Sequence, residues 1–217
     1  MNLFEILEHA DKVASLAINN LHSAFTDQMW LTFSGRKEWI PLYVLMAGFL
    51  IWRLGWKKGL TAILTIGVTI LCIDQFANLI KNWAGRLRPC NDPEMIAHGL
   101  RALIPASKRS CYGFFSAHAG NAMGLAVCFG YFLKKKALHE NSLSWRNAYG
   151  IIAAVITIWA LCVGVSRIFV GRHFLGDVIV GFIMGARLPP SSAASSTPSS
   201  NSLKADARPP KHKTVKI

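Results

Sequence analysis

The sequence predicts an all-α fold, a polytopic membrane helical bundle with about five spans and an N-terminal amphipathic interfacial helix. Three observations lead there. Hydrophobic residues fill 52% of the 217 positions and the mean hydropathy is positive at +0.33, more apolar than an average soluble domain. Several runs approach the roughly 20 apolar residues that a helix needs to cross about 30 Å of hydrocarbon. The charged residues gather between those runs, as they do in loops between membrane spans.

The first element places Leu3, Ile6, Leu7, Ala10, Val13, Leu16 and Ala17 at helical spacing, with Glu5, Glu8, Asp11 and Lys12 between them. That pattern suits a helix lying along the interface rather than crossing it. The first span covers residues 39–56, where Trp39, Trp52 and Trp56 fit interfacial aromatic belts. The next three are expected at 60–80, 119–133 and 148–165. A fifth runs from 174 to 186, only about 20 Å of helix. The low-complexity Ser/Pro stretch that follows lacks the apolar content of a packed element and is expected to be disordered. The chain thus divides into an amphipathic segment at 1–38, a membrane-embedded domain at 39–186 and a basic tail at 187–217.

The net charge of +13 raises nucleic acid as a partner. Two places, residues 81–112 and 187–217, account for nine of those thirteen charges. The tail carries no stacking platform or groove-reading helix, so no nucleic acid is expected and the tail suits acidic headgroups or solvent; the loop at 81–112 calls for a separate explanation. Lys57, Lys58, Lys134, Lys135, Lys136 and Arg146 fall in connections on one side of the alternating spans. The positive-inside rule makes that side cytoplasmic. Residues 81–116 and 166–173 then share the opposite face.

Three patches on that face carry chemistry. Lys81 and Arg88 are seven residues apart, two turns of a helix that Pro89 would end, so both cations are expected to point the same way. Such a pair suits phosphate oxygens, although basic residues beside a span also snorkel to headgroups. Ser116 and His118 open the third span, where a hydroxyl and backbone N–H groups form an anion site or simply a helix cap. His173 and Asp177 are four apart, so a helix would bring them onto one face. The carboxylate would accept a proton from one ring nitrogen and present the other as a nucleophile. A lone Asp177 at the head of a membrane helix would be costly. Ser166 and Arg167 add a hydroxyl and a cation. Asp74, mid-span, needs a polar partner such as Asn121.

These segments resemble the three-part signature of the type 2 phosphatidic acid phosphatase (PAP2) superfamily: Lys-x6-Arg-Pro, Pro-Ser-Gly-His and Ser-Arg-x5-His-x3-Asp. Lys81, Arg88 and Pro89 meet the first, and Ser166, Arg167, His173 and Asp177 meet the third. The second departs twice, at Phe115 and Ala117, but keeps Ser116 and His118. The resemblance implies a helical membrane phosphatase with no cofactor and no metal. His173 would attack phosphorus, Asp177 would orient it, and His118 would protonate the leaving oxygen. Lys81, Arg88, Ser116 and Arg167 would hold the phosphate oxygens. The expected spans hold only Asp74 and Asp177 as acids, too few for a carboxylate-built two-metal site.

Cys90 and Cys111 bracket a loop on the outer side, where disulfides persist; they are either bridged or two thiols. A site framed by apolar helices favours a lipid phosphate or pyrophosphate in the bilayer. The resemblance leans toward bacterial envelope lipids, lipid A phosphate or undecaprenyl pyrophosphate, with phosphatidylglycerol phosphate or phosphatidate as the alternative. It also implies the inner membrane, with the site facing the periplasm. A vanadate-dependent haloperoxidase and a non-catalytic lipid-phosphate binder are the rival classes.

Overall fold

The structure, a computed structural model, describes residues 2–105 and 111–187. Helix accounts for 78% of these residues, with no strand among them. The helices are α1 (Leu3–Asn19), α2 (Ala24–Ser34), α3 (Ile40–Leu54), α4 (Trp56–Ala84), α5 (Pro93–Ala97), α6 (Ala117–Ala137), α7 (Leu143–Phe169) and α8 (Leu175–Arg187). The basic tail expected from 187 lies, beyond Arg187, outside the described residues.

Helix α1 begins in a capping box: the Asn2 side chain accepts from the Glu5 N–H and the Glu5 carboxylate accepts from the Asn2 N–H. Its apolar residues Leu3, Phe4, Leu7 and Val13 are exposed, whereas Ser15 and Asn19 are buried. The polar stripe, not the apolar face, therefore docks on the bundle. Helix α2, which the hydrophobic pattern does not announce, is capped by Ser23 and packs on α7.

Helices α4 and α7 are long and apolar enough to cross a membrane, and α3 is a shorter apolar helix. Helix α4 exceeds the span expected at 60–80 because no breaker intervenes between Gly55 and Gly85, both at positive φ. Leu64, Val68, Leu71 and Leu79 of α4 and Ile151, Val155 and Ile158 of α7 are exposed. An apolar belt of that extent is at home in lipid rather than in water.

Helix α6 is central and packs on α4, α7 and α8. Its contact with α8 is made backbone to backbone. A Cβ at Gly185 would lie 2.2 Å from the Gly120 carbonyl oxygen, and one at Gly181 would lie 2.6 Å from that of Ser116. Small residues spaced four apart on both helices permit this approach, and close packing then substitutes for the hydrophobic drive that lipid does not supply. The crossing brings the N-termini of α6 and α8 together, where the Ser116 N–H donates to the Asp177 carbonyl at 2.9 Å. Toward the other end, Leu50, Ala62, Phe129, Leu133 and Tyr149 form the main apolar core.

Candidate active site

The first basic patch is built differently from the expected two-turn helix. Gly85 adopts a left-handed conformation (φ 58°) and stops α4 after Ala84. Lys81 thus remains in the last helical turn, while Arg88 sits on an extended segment. That segment pairs with residues 111–113: the Arg88 N–H donates to the Cys111 carbonyl at 2.9 Å and the Gly113 N–H to the Arg86 carbonyl at 2.8 Å. The Arg88 side chain is held by Nε donating to the Tyr112 carbonyl at 2.9 Å, and Lys81 Nζ donates to Asn78 Oδ1 at 2.5 Å. Both cations still line one polar cavity.

The histidine and aspartate of the third patch also meet by another route. Helix α7 ends at Phe169, Gly171 turns the chain at φ 73°, and the N–H groups of Arg172 and His173 both donate to the Arg167 carbonyl. His173 therefore precedes α8 rather than sharing a helical face with Asp177. Asp177, in the first turn of α8, reaches back to the Phe174 N–H with Oδ2 at 3.3 Å, in the manner of a capping box. The same oxygen lies 3.1 Å from His173 Nδ1. That contact leaves Nε2 as the reactive nitrogen. Burial pushes the His173 pKa down to about 4 although Asp177 opposes the shift, so the ring is neutral near pH 7 and its lone pair is available.

The polar cavity, about 330 Å³, is lined by His118, His173, Lys81, Arg88 and Arg167, which the sequence singles out, and by Arg36 and Arg172, which it does not. Five cations face it, with Asp74 as the one carboxylate among its described lining residues. Arg167 is buried, donates through Nη1 to the Ser34 carbonyl at 3.3 Å and to the Ser34 hydroxyl, and has no partner for Nε–H among the described residues. Asp74 accepts from Asn121 Nδ2 at 2.8 Å, the partner expected for it. No cluster of three or more His, Cys, Asp or Glu side chains that could hold a metal occurs among the described residues.

Two expected hydroxyls stay out of the cavity. Ser116 is fully buried as the N-cap of α6, its Oγ accepting from the Ala119 N–H at 3.3 Å, which fits the cap reading. Ser166 Oγ turns back to the Val163 carbonyl at 2.7 Å. The Cys90–Cys111 bridge is not formed: both side chains are thiols, and Cys90 is buried, donating to Asn91 Oδ1 at 3.3 Å.

A second cavity, about 480 Å³, meets the first at Arg36, Asp74 and His118 and continues between α3, α4, α6 and α7 along Met46, Leu50, Ile66, Ile70 and Leu125. Arg36 Nε donates to His118 Nε2 at this junction (3.2 Å). Of the residues that sequence reasoning misses, Arg172 lies inside the recognised third patch. Arg36 and Arg86 carry no local signal, because their partners are remote in the chain, and Asp11, which bonds Arg86, shows only as one of the polar residues of α1.

A helical bundle that aims two histidines and a ring of cations into a cavity joined to an apolar chamber defines a membrane-embedded phosphate-handling protein. A profile of the PAP2 superfamily matches residues 58–189, and the chain belongs to that superfamily. It is 30% identical over 184 residues to the lipid A 4'-phosphatase of Bacteroides thetaiotaomicron, covering 84% of this chain and 75% of that one. It is also 30% identical over 188 residues to phosphatidylglycerophosphatase B of Bacillus subtilis, covering 84% and 81%. Among solved structures, the transmembrane PAP2-type phosphatidylglycerolphosphate phosphatase from Bacillus subtilis has the same fold (TM-score 0.63, 20% identity, 94% of this chain and 88% of that one).

Proposed function

We propose that the protein is a membrane lipid phosphatase that works through a phosphohistidine. The carrying observation is the polar cavity in which His173, backed by Asp177, and His118 both face the space among Lys81, Arg88 and Arg167. In the first step the lone pair of His173 Nε2 forms an N–P bond while the bond from phosphorus to the lipid oxygen breaks. The departing oxygen takes that electron pair and a proton from His118. Asp177 stabilises the positive charge that develops on the His173 ring. In the second step water attacks phosphorus and gives a proton to His118; the N–P bond breaks, inorganic phosphate leaves and His173 is restored. Lys81, Arg88 and Arg167 hold the nonbridging oxygens throughout.

His118 Nε2 accepts from Arg36 in this arrangement and so carries no proton; delivering one to the leaving oxygen requires Arg36 to swing aside and Nε2 to take up a proton before the first step. The apolar chamber beyond that junction suits the tail of a lipid substrate. Helices α3, α4, α6, α7 and α8 are read as five spans, α1 as an interfacial helix and 39–186 as the catalytic domain. Lys57 and Lys58 at the start of α4 and Lys134, Lys135 and Lys136 at the end of α6 support, by the positive-inside rule, a reading in which that end is cytoplasmic and the site faces the periplasm from a bacterial inner membrane.

The lipid A 4'-phosphatase relative favours an envelope lipid, lipid A phosphate or undecaprenyl pyrophosphate, as substrate. The equally identical phosphatidylglycerophosphatase B relative supports phosphatidylglycerol phosphate as the second reading. Phosphate release from these three purified lipids in detergent, with wild type and His173→Ala, tests the proposal. Loss of turnover by at least about a thousandfold is expected. Undiminished release by the variant would overturn the mechanism, and the preferred lipid fixes the substrate class.

A further inference from the structure

Helix α1 does more than lie beside the bundle, because its polar stripe is built into the catalytic turn. Asp11, Ser15 and Asn19 recur every fourth residue and face the same way. Asn19 Nδ2 donates to the Ile168 and Phe169 carbonyls at 3.0 Å each, closing the C-terminus of α7. Ser15 Oγ accepts from the Leu175 N–H at 2.8 Å and Asp11 Oδ1 from the Gly176 N–H at 2.7 Å, closing the N-terminus of α8. The turn that carries His173 is thus tied at both ends by a helix more than 145 residues away in the chain.

Asp11 also reaches the nucleophile's own carboxylate through Arg86. Arg86 Nη2 donates to Asp11 Oδ2 at 2.7 Å and Nη1 to Asp177 Oδ1 at 2.7 Å, while the guanidinium lies 4.2 Å from the centre of the Phe174 ring. Asp177 is 1% exposed, and its other oxygen holds His173. Arg86 therefore fixes the rotation of the carboxylate that orients the imidazole. Alone, the guanidinium would draw negative charge away from Asp177 and weaken its support of the cation forming on His173. Asp11 offsets that charge from the other side.

Building on the phosphohistidine reading, we infer that Asp11 and Arg86 are positioning residues for the His173 nucleophile, acting through Asp177. Neither touches the phosphate cavity. Loss of either lowers the rate of phosphoryl transfer to His173 without weakening substrate binding, unlike loss of a residue that contacts substrate.

The test uses the full chain in detergent and the lipid, of the three named above, that the wild type turns over fastest. Asp11→Asn keeps one acceptor oxygen, for Gly176, and removes the charge together with the oxygen that Arg86 uses; kcat should fall about tenfold with KM within twofold and at most a small drop in melting temperature. Arg86→Ala should lower kcat about 100-fold, as loss of a partner behind a reacting group does in other sites, and Arg86→Lys should recover part of it. Asn2→Ala, which removes the capping box at the far end of α1, should lower the melting temperature and leave kcat unchanged. Full kcat in Asp11→Asn overturns the inference, as does a kcat loss that Asn2→Ala reproduces. Should Asp11→Asn fail to fold, folded Arg86→Lys decides: reduced kcat at constant KM supports the inference, and wild-type kcat overturns it. Activity remaining in His173→Ala would instead strike the phosphohistidine reading itself.

Discussion

The two ends of the bundle treat cations in opposite ways. At the end away from the site, Arg53 donates to Glu140 at 2.9 Å and to the Tyr149 hydroxyl at 2.8 Å, and its guanidinium lies 4.0 Å from the Trp145 ring centre. Nε, Nη2 and the flat face of that guanidinium are all answered. At the site end Arg36, Arg88, Arg167 and Arg172 converge with Lys81 on one cavity whose described lining residues include a single carboxylate. Mutual repulsion and burial both oppose such a gathering. A fold held together by its own charges would look like the first end; the second is completed by an anion brought from outside.

The largest effect that tests this contrast is Arg167→Ala. Phosphate release should drop about 100-fold or more in kcat/KM, ~3 kcal/mol of transition-state stabilisation, while the melting temperature holds or rises as a buried, poorly balanced charge disappears. A variant that only unfolds would make Arg167 a structural cation like Arg53.

Acidity gives the next effect. Burial lowers His173 to about 4 against a usual 6.5, with Asp177 pulling the other way. A histidine with a lowered pKa stays neutral as pH falls through 6.5 and is lost as a nucleophile only on approaching 4. At pH 5 single-turnover phosphorylation of the enzyme should therefore run about thirtyfold faster than an ordinary histidine would allow. A fall centred at pH 6.5 would mean that the ring is solvated.

Arg53→Ala should reverse the Arg167 pattern. Thermal melts in detergent should register a loss of about 2 kcal/mol, since the largely buried Glu140 is left with only the longer contacts to Lys136 at 3.8 Å and the Tyr149 hydroxyl at 3.4 Å, with kcat/KM within about threefold of wild type. Smallest of all, Asp74→Asn should change kcat/KM by no more than about threefold, because an amide can still pair with Asn121. A larger loss would show that the lone lining carboxylate has a part in the chemistry.

Much of this site is legible in the residues, and what escapes does so for a physical reason. His173, Asp177 and Arg167 lie within a dozen positions, and His118 opens an apolar run, so local spacing and the resemblance suffice to name them. The conformations joining them are less visible. Helical spacing predicts that Lys81 and Arg88 share a helix, but a left-handed Gly85 separates them. It predicts the same for His173 and Asp177, which instead meet across a capping turn. Arg86 bonds Asp177 from 91 positions away and Asp11 from 75; no window of sequence contains such a contact. The polar stripe of α1 was the one available sign, hidden because amphipathic patterns direct attention to the apolar face.

The glycine crossing of α6 and α8 gives the molecule a long lever. Gly185 stands eight residues, about 12 Å of helix, beyond Asp177, yet a single methyl group there would collide with the Gly120 carbonyl. Because α8 is stiff, prying its distal half outward would tilt its head and swing the aspartate away from the imidazole. Mutations that far along the helix, touching no polar side chain, would then read out as a crippled enzyme.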